Sequence, residues 1–452
     1  MIDLLLLSAP GAGEWLRVMT LQGGYNTNSV IVGAVMLGIA AGAIGVFALL
    51  RGRALMGDAL SHATLPGVGV AFLAGTWLGW DPRSLPLLLC GAALSGVLGV
   101  LAVLFIVRQT RLREDAAIGI VLSVFFGAGA IVMQAIVRMD IGNRGGLQRF
   151  IYGQTAAMQG HDALVLSGVA LLVLLVSLAF LKEFRLVCFN AEYAASQGWP
   201  VIVIDIVMMT FVVLVTVIGL QTVGLILVVA LIIIPAAAAR FWTDRLFVML
   251  ITAAGLGGLS GYLGATVSAL YSDLPAGAVI VLAAGAVFIA SMFLAPARGV
   301  LASAWRHVRV RDLTNRQHLL RHLFEREEIE GEGTPVTRVR LARERAWRGR
   351  GLHRALRQLA RAGTITLGAA PDHAIALTTA GRVEAARVTR NHRLWEEYLV
   401  RHADVAPSHV DWSADQVEHV LSEPLVRELE AALRAQGIDV PAAPGAMEGA
   451  TA

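Results

Sequence analysis

The sequence predicts an all-α polytopic membrane bundle of eight or nine transmembrane helices, followed by a cytoplasmic winged helix-turn-helix and a second helical domain. Apolar residues make up 56% of the 452-residue chain, which exceeds the ~45–50% of soluble domains. The first two thirds contain apolar runs near the ~20 residues that cross a bilayer. Beyond them, Arg298–Arg361 carries sixteen arginines and no lysine, a composition that requires water or an acidic partner.

Nine apolar segments, separated by short polar loops, account for the membrane part. Eight spans are expected instead if one segment is re-entrant. Gly38 and Gly42 are spaced to let a neighbouring helix approach closely, although glycines at these positions are equally well explained by membrane composition. The predicted segments are 28–50, 56–79, 84–107, 115–138, 162–182, 199–219, 221–240, 246–267 and 276–296.

Basic residues predict how the chain is oriented in the cell (inner) membrane. They fall in alternate loops, as the positive-inside rule requires of the cytoplasmic side. Residues 1–27 are therefore predicted to be an extracytoplasmic or interfacial lead-in, and the C-terminal region to be cytoplasmic. The 139–161 loop carries Arg144 and Arg149 on the predicted outer side, and the alternative for it is a short helix that folds back. The loop residues used are Arg51/Arg53, Arg108/Arg111/Arg113, Lys182/Arg185 and Arg240/Arg245.

Asp58 and His62 are the most informative residues within the membrane part. A spacing of four places both side chains on one helix face, and an aspartate at bilayer depth costs at least ~2.5–3.5 kcal/mol. Such a pair is expected to face the bundle interior. Carboxylate and imidazole suit Mn²⁺, Fe²⁺ or Zn²⁺, whereas a capped helix end with a hydrogen-bonded histidine explains the pair equally well.

The two cysteines predict no chemistry of their own. Cys90 and Cys188 each lie in or beside an apolar segment. This placement favours packing over a disulfide or a metal site.

Four motifs in order within residues 28–297 resemble the ABC permeases that import zinc, manganese and iron. The resemblance implies that two permease subunits, identical or different, enclose a metal path contacted by Asp58 and His62. It also implies a separate ATPase subunit and an extracytoplasmic metal-binding lipoprotein or periplasmic protein. The motifs are Arg53–Val68 (RALMGDALSHATLPGV), Leu147–Gly153 (LQRFIYG), Val223–Arg240 and Asp273–Ala278 (DLPAGA).

A polar amphipathic insert, Asn190–Pro200, interrupts the apolar runs in a predicted cytoplasmic loop. It resembles the coupling segment of the same permeases, with Glu192, Ala195 and Gly198 at the positions expected to contact the ATPase. The alternative is a solvated loop helix without a partner. A P-loop requires Gly-x-x-x-x-Gly-Lys-Ser/Thr, and the lysine of this sequence, Lys182, has no such glycines around it, so we predict a permease subunit and not an enzyme.

Residues 312–377 predict a winged helix-turn-helix, joined to the bundle by a linker at 298–311. Three helices are followed by a Gly-, Pro- and Asp-containing hairpin that forms the wing. The third helix begins poorly, because Gly349 and Gly351 disfavour helix. The helices are predicted at Leu313–Ile329, Val336–Arg345 and Gly351–Ala362, and the wing at Thr364–Leu377.

Arginines on the third helix of this domain are candidates for DNA contact. Guanidinium groups bind phosphates, and in the major groove they bind guanine. A protein-docking surface is the alternative. The candidates are Arg348, Arg350, Arg354 and Arg357, with Arg361 beyond them.

Residues 378–435 carry two clusters of acidic and histidine side chains. His392 and Glu396 share a helix face, and so do Asp411, Asp415, Glu418 and His419, each about a turn or less from the next. Taken separately, each cluster is explained equally well by charged side chains that face water. Together they provide six hard or borderline ligands, which favour Mn²⁺ or Fe²⁺.

The block from 312 to 435 resembles the diphtheria-toxin-repressor family of metal-dependent regulators, through its Thr-x-x-Gly, His-Arg-Leu-x-Glu and Glu-His-Val-x-Ser elements. The resemblance implies regulatory-metal ligands at His392, Asp415, Glu418 and His419, with Glu396 and Asp411 ancillary. His318 is the nearest equivalent of a first-helix ligand. Arg321 stands where manganese sensors have a carboxylate.

These observations predict the permease subunit of an importer of manganese, iron or zinc ions, fused to a metal-responsive winged-helix domain and a disordered tail at 436–452. The metal ion is expected as substrate and as regulatory ligand, with no organic cofactor, and DNA and membrane lipid as further partners. One alternative is a membrane-tethered transcriptional regulator. Another is a soluble domain that gates transport without binding DNA.

Overall fold

The computed structural model describes residues 11–53, 55–82, 84–139, 158–271, 274–344, 349–368, 374–402 and 423–435. The chain divides into two compact units, Met1–Ala302 and Ser303–Ala452. The Leu147–Gly153 motif with Arg144 and Arg149, the aspartate of the Asp273 motif and the predicted tail lie outside the described residues.

The membrane unit is entirely helical in its described part. Eight helices there are long and apolar enough to cross a membrane, and α10 is a shorter apolar helix, which confirms the predicted bundle of eight or nine. In chain order the helices are α1 Ala12–Met19, α2 Tyr25–Leu50, α3 Met56–Trp77, α4 Leu85–Gln109, α5 Glu114–Arg138, α6 Gly160–Ala179, α7 Leu181–Phe189, α8 Ala191–Ser196, α9 Val201–Val223, α10 Leu225–Trp242, α11 Leu246–Leu270 and α12 Ala276–Leu294.

Glycines bring α2 and α11 into direct backbone contact. A Cβ atom at Gly38 would lie 2.2 Å from the carbonyl oxygen of Gly257, and one at Gly42 would lie 2.3 Å from that of Ala253. Any side chain would therefore force the helices apart. The spacing of these glycines serves helix packing and is not a mere effect of membrane composition.

The second unit combines helices with one small antiparallel sheet. Strands β1 and β2 pair with Ile365 opposite Leu377, and Val336 forms an isolated bridge to Ile375. The segment predicted as a linker is helical from Val300 onward. The elements are α13 Val300–Glu330, α14 Arg338–Glu344, α15 Gly349–Arg361, β1 Ile365–Leu367, β2 Ile375–Leu377, α16 Thr379–His402 and α17 Glu423–Ala435.

One apolar core joins three helices and the hairpin, as a winged-helix arrangement requires. Leu319 and Leu323 from α13, Leu356 and Leu359 from α15, and Ile375 from β2 are all buried in it. Helices α16 and α17 pack separately, through a cluster of Leu394, Val426 and Leu433. The ion pair of Arg390 with Glu430, 2.5 Å apart, supports the same contact.

Candidate functional sites

Asp58 and His62 lie in the first two turns of α3, as their spacing predicts. The turn that positions them begins at Gly52, whose φ of +74° is the left-handed conformation that glycine adopts readily. Asp58 falls in the first turn, where the helix dipole favours a negative charge. The Nε2 atom of His62 is 3.7 Å from Oδ1 of Asp58, and the two side chains are 22% and 38% exposed.

His62 has a ring nitrogen without a protein partner within the described structure. Its Nδ1 is buried without a hydrogen bond. Its carbonyl oxygen lacks the usual helical donor, because Pro66, four residues later in α3, has no amide hydrogen. The ring packs edge-on against Phe126 of α5, with centroids 5.1 Å apart. Asp58 and His62 thus combine a carboxylate with an imidazole whose Nδ1 has no partner within the described structure.

The pair does not form a complete metal site alone. Within the described residues, no group of three or more histidine, cysteine, aspartate or glutamate side chains is placed to hold a metal ion. Burial raises the pKa of the Cys188 thiol to about 12, which favours the packing role expected of this cysteine. Among the described residues, no third histidine, cysteine, aspartate or glutamate side chain joins Asp58 and His62 in such a group.

The predicted coupling insert folds as a short helix, α8. The side chain of Asn190 accepts a hydrogen bond from the backbone N–H of Tyr193, at 2.9 Å, which caps the first turn. Gly198 ends the segment with a φ of +81°. Ala194 is buried against the membrane unit, whereas Glu192, Ala195 and Gly198 are exposed.

Three aromatic side chains surround this exposed face. Phe189, Tyr193 and Trp199 are 62%, 53% and 43% exposed. Aromatic residues are enriched at the centres of protein interfaces, so these side chains fit a protein partner better than bulk water. Sequence patterning selected Glu192, Ala195 and Gly198 and missed the three aromatic side chains.

A buried ion-pair cluster near the start of α3 was also missed. The positive-inside rule uses Arg51 and Arg53 only as markers of orientation, yet both pair with Asp205 of α9, at 2.7 Å and 3.4 Å. Arg53 also pairs with Glu114 of α5. Asp205 and Arg53 are almost fully buried. The available signal was a single aspartate in the apolar segment at 199–219.

In the second unit, the side chain of Arg321 contacts the ring of His392. Its guanidinium Nη1 lies 2.5 Å from Nδ1 of His392, and its side chain is 1% exposed. Arginine can only donate, so Nδ1 accepts and the proton of the neutral ring sits on Nε2. That nitrogen is 3.1 Å from Oε1 of Glu396.

His392 therefore does not fit a metal ion while Arg321 is in this position. Both ring nitrogens are engaged, and a buried guanidinium would repel a second cation. The other predicted ligands, Asp411, Asp415, Glu418 and His419, lie outside the described residues. The sequence identified the substitution at Arg321, whereas the structure shows what its side chain contacts.

Helix α15 exposes a basic face opposite its core face. Arg354 and Arg357 are exposed, whereas Leu352 and Leu356 are buried. Arg357, with a smaller effect of burial and Arg338, lowers the pKa of His353, which reports a positive local field. Arg350 lies in the first turn of this helix, and Arg348 lies outside the described residues.

Together, the apolar bundle, the Asp58–His62 pair and the exposed α8 define a polytopic membrane permease with a regulatory unit. Residues 25–295 match the ABC 3 transport family, and the chain belongs to this family. Residues 378–436 match the iron dependent repressor, metal binding and dimerisation domain. Both resemblances seen in the sequence are thereby confirmed.

Characterised relatives cover the membrane unit. The chain is 41% identical over 318 residues to the manganese transport system membrane protein MntC of Bacillus subtilis (strain 168), covering 70% of this chain and 72% of that one. It is 40% identical over 294 residues to the zinc transport system membrane protein TroC of Treponema pallidum (strain Nichols), covering 65% and 97%. A solved structure, PsaBC from Streptococcus pneumoniae in complex with Fab, matches with 32% identity, a TM-score of 0.54, and coverage of 64% and 98%.

Proposed function

We propose that this chain is the permease subunit of an importer of manganese, iron or zinc ions, and that Asp58 and His62 contact the ion on its path. The main support for this proposal is the pair itself, in which Nδ1 of His62 is buried without a hydrogen bond within the described structure. The donors suit these metals. Relatives named for manganese and zinc transport support the substrate class.

Among the described residues, no third histidine, cysteine, aspartate or glutamate side chain completes this ligand set, which favours pairing with a second permease subunit. A symmetric copy would bring a second carboxylate and a second imidazole to a shared path. A separate ATPase would dock on α8, and an extracytoplasmic binding protein would deliver the ion. With α10 counted as a ninth span, an extracytoplasmic N-terminus places the second unit in the cytoplasm.

Metal uptake tests this function directly. Cells that lack their own importers receive this chain together with its ATPase and binding protein, and accumulation of manganese, zinc and iron is measured separately. We expect uptake of at least one ion that requires all three proteins. No uptake above that of cells without the chain would contradict the proposal.

For the second unit, we propose a regulatory role in which α15 contacts DNA. The exposed Arg354 and Arg357, on a helix whose other face packs in a winged-helix core, carry this proposal. If the second unit does not bind DNA, the remaining candidate role for it is to gate transport.

Binding of DNA to α15 should raise the pKa of His353. Arg357 now lowers that pKa, and a phosphate beside the arginine would offset its charge and favour the protonated ring. Nuclear magnetic resonance titration of the full chain, with and without duplex DNA, measures the change. Arg354→Ala with Arg357→Ala should also reduce the slope of log affinity against log salt by ~0.9 for each lost contact.

The matched control is Arg393→Ala, which removes an arginine that pairs with Glu328 elsewhere in the unit. For this variant, the slope of log DNA affinity against log salt should equal that of wild type. An unchanged pKa of His353 at saturating DNA would show that α15 does not contact phosphate.

Arg321→Glu should create metal dependence at His392. The substitution replaces a buried cation with a third carboxylate near Glu325 and Glu396, so the variant should be less stable than wild type without metal. Mn²⁺ should restore its stability, because binding adds to the folding free energy. Thermal unfolding of the full chain, with and without Mn²⁺, measures both effects.

Arg387→Glu is the control, since it adds a carboxylate to the exposed surface of the same helix, α16. It should show no greater response to Mn²⁺ than wild type. If Arg321→Glu responds no more than this control, His392 and Glu396 are not placed to share a metal ion.

A further inference from the structure

The buried cluster of Arg51, Arg53, Glu114 and Asp205, here called the arginine cluster, contacts both flanks of the coupling segment. Nη1 of Arg51 donates to the carbonyl oxygen of Val187 in α7, at 3.1 Å, and α7 directly precedes α8. Nη2 of Arg51 donates to Asp205, at 2.7 Å. Asp205 lies in the second turn of α9, which directly follows α8.

The same cluster also lies beside the start of α3, which carries Asp58 and His62, and contacts α5, which packs against His62. Arg53 lies three residues before α3 begins and is held by its backbone N–H, which donates to the carbonyl oxygen of Ala48 at 2.8 Å. Its side chain reaches Glu114, the first residue of α5. Helix α5 carries Phe126, which packs against His62. These contacts connect the cluster, through Glu114, to the helix that packs against His62.

The charges in the cluster balance, but its hydrogen bonds are incomplete. Two arginines face two carboxylates. Within the described structure, Oδ1 of Asp205, Nε of Arg51 and Nη1 of Arg53 are buried without partners. Buried polar groups are normally satisfied, so these three atoms leave the cluster able to form further hydrogen bonds without a change in its net charge.

We propose that the arginine cluster transmits movement of the coupling segment to α3 and α5, with Arg51, Arg53 and Asp205 as positioning residues for the metal path. The proposal rests on the proposed import function. It makes the α2–α3 turn the mechanical link between ATP hydrolysis, which occurs on another subunit, and the metal-contacting pair. Motion at α7 and α9 reaches this turn through Arg51 and Asp205.

The test measures metal transported per ATP hydrolysed by the assembled transporter in proteoliposomes. Asp205→Asn should hydrolyse ATP within about twofold of the wild-type rate while the ratio of metal to ATP falls at least tenfold. A second variant, Arg51→Gln with Asp205→Asn, keeps the net charge of the cluster and avoids an unpaired buried ion. It should lose coupling to the same extent.

Asp244→Asn is the matched control. Asp244 also pairs with two arginines, Arg240 at 3.5 Å and Arg298 at 2.7 Å, but it is 57% exposed. In this variant, the ratio of metal transported to ATP hydrolysed should equal that of wild type. A wild-type ratio in the double variant, with only the yield of assembled transporter reduced, would overturn the proposal and leave the cluster a purely structural role. Failure of the wild-type protein to transport any of the three metals would instead contradict the import function itself.

Discussion

Asp58→Ala and His62→Ala are each expected to reduce metal uptake to the background of cells that lack the chain. Each substitution removes one of two side-chain donors on the same face of α3 and leaves the other without its partner. Loss of groups that merely orient metal ligands costs ~10–100-fold in affinity, so loss of a contacting donor should cost at least as much. Uptake of manganese, zinc and iron, normalised to the amount of chain in the membrane, measures the effect.

Thr76→Ala is the matched control, because Thr76 lies near the other end of α3 and its hydroxyl donates to the carbonyl oxygen of Phe72 within the helix. Its uptake should match wild type. Normal uptake of all three metals by both Asp58→Ala and His62→Ala would remove the pair from the transport path, whatever the function of the chain.

Deletion of residues 191–198 should abolish transport by separating the permease from its ATPase. The deletion removes α8 with its exposed positions Glu192, Ala195 and Gly198. A milder variant, Tyr193→Ala, keeps the helix and its Asn190 cap but removes a half-exposed ring. If that ring is an interface anchor, its loss should weaken ATPase binding by ~2 kcal/mol or more, roughly 30-fold.

Binding of the purified ATPase to the permease in detergent, with metal transport by the same preparations, measures both variants. Trp242→Ala serves as control, since Trp242 is an exposed aromatic residue at the end of α10, in a different predicted cytoplasmic turn. Should Tyr193→Ala and the deletion both bind the ATPase and transport like this control, the ATPase docks elsewhere.

The number and positions of the spans were predictable because they depend on local properties. A run of ~20 apolar residues is favourable in lipid wherever it occurs, so each segment is recognisable by itself. The same holds for the hairpin at 364–377 and for the α8 insert. The contact of Gly38 with Gly257 was predictable only in part, because spacing identifies a surface of close approach but does not identify the helix that occupies it.

Charge partners could not be predicted in the same way. Counting Arg51 and Arg53 by the positive-inside rule gave a consistent orientation, yet the rule does not depend on what an arginine contacts. Their shared partner, Asp205, is more than 150 residues away in the chain. Such a pair forms only when the helices pack, so no local pattern reports it.

By itself, the sequence determined that this is a membrane permease with an arginine-rich regulatory unit, that Asp58 and His62 share a helix face, and that Arg321 departs from the carboxylate of manganese sensors. Only the tertiary structure decided that Arg321 binds His392 and that Arg51 and Arg53 both pair with Asp205. The physical reason is that periodicity and hydropathy act over a few helical turns, whereas a buried ion pair is stable only where separate elements exclude water around it.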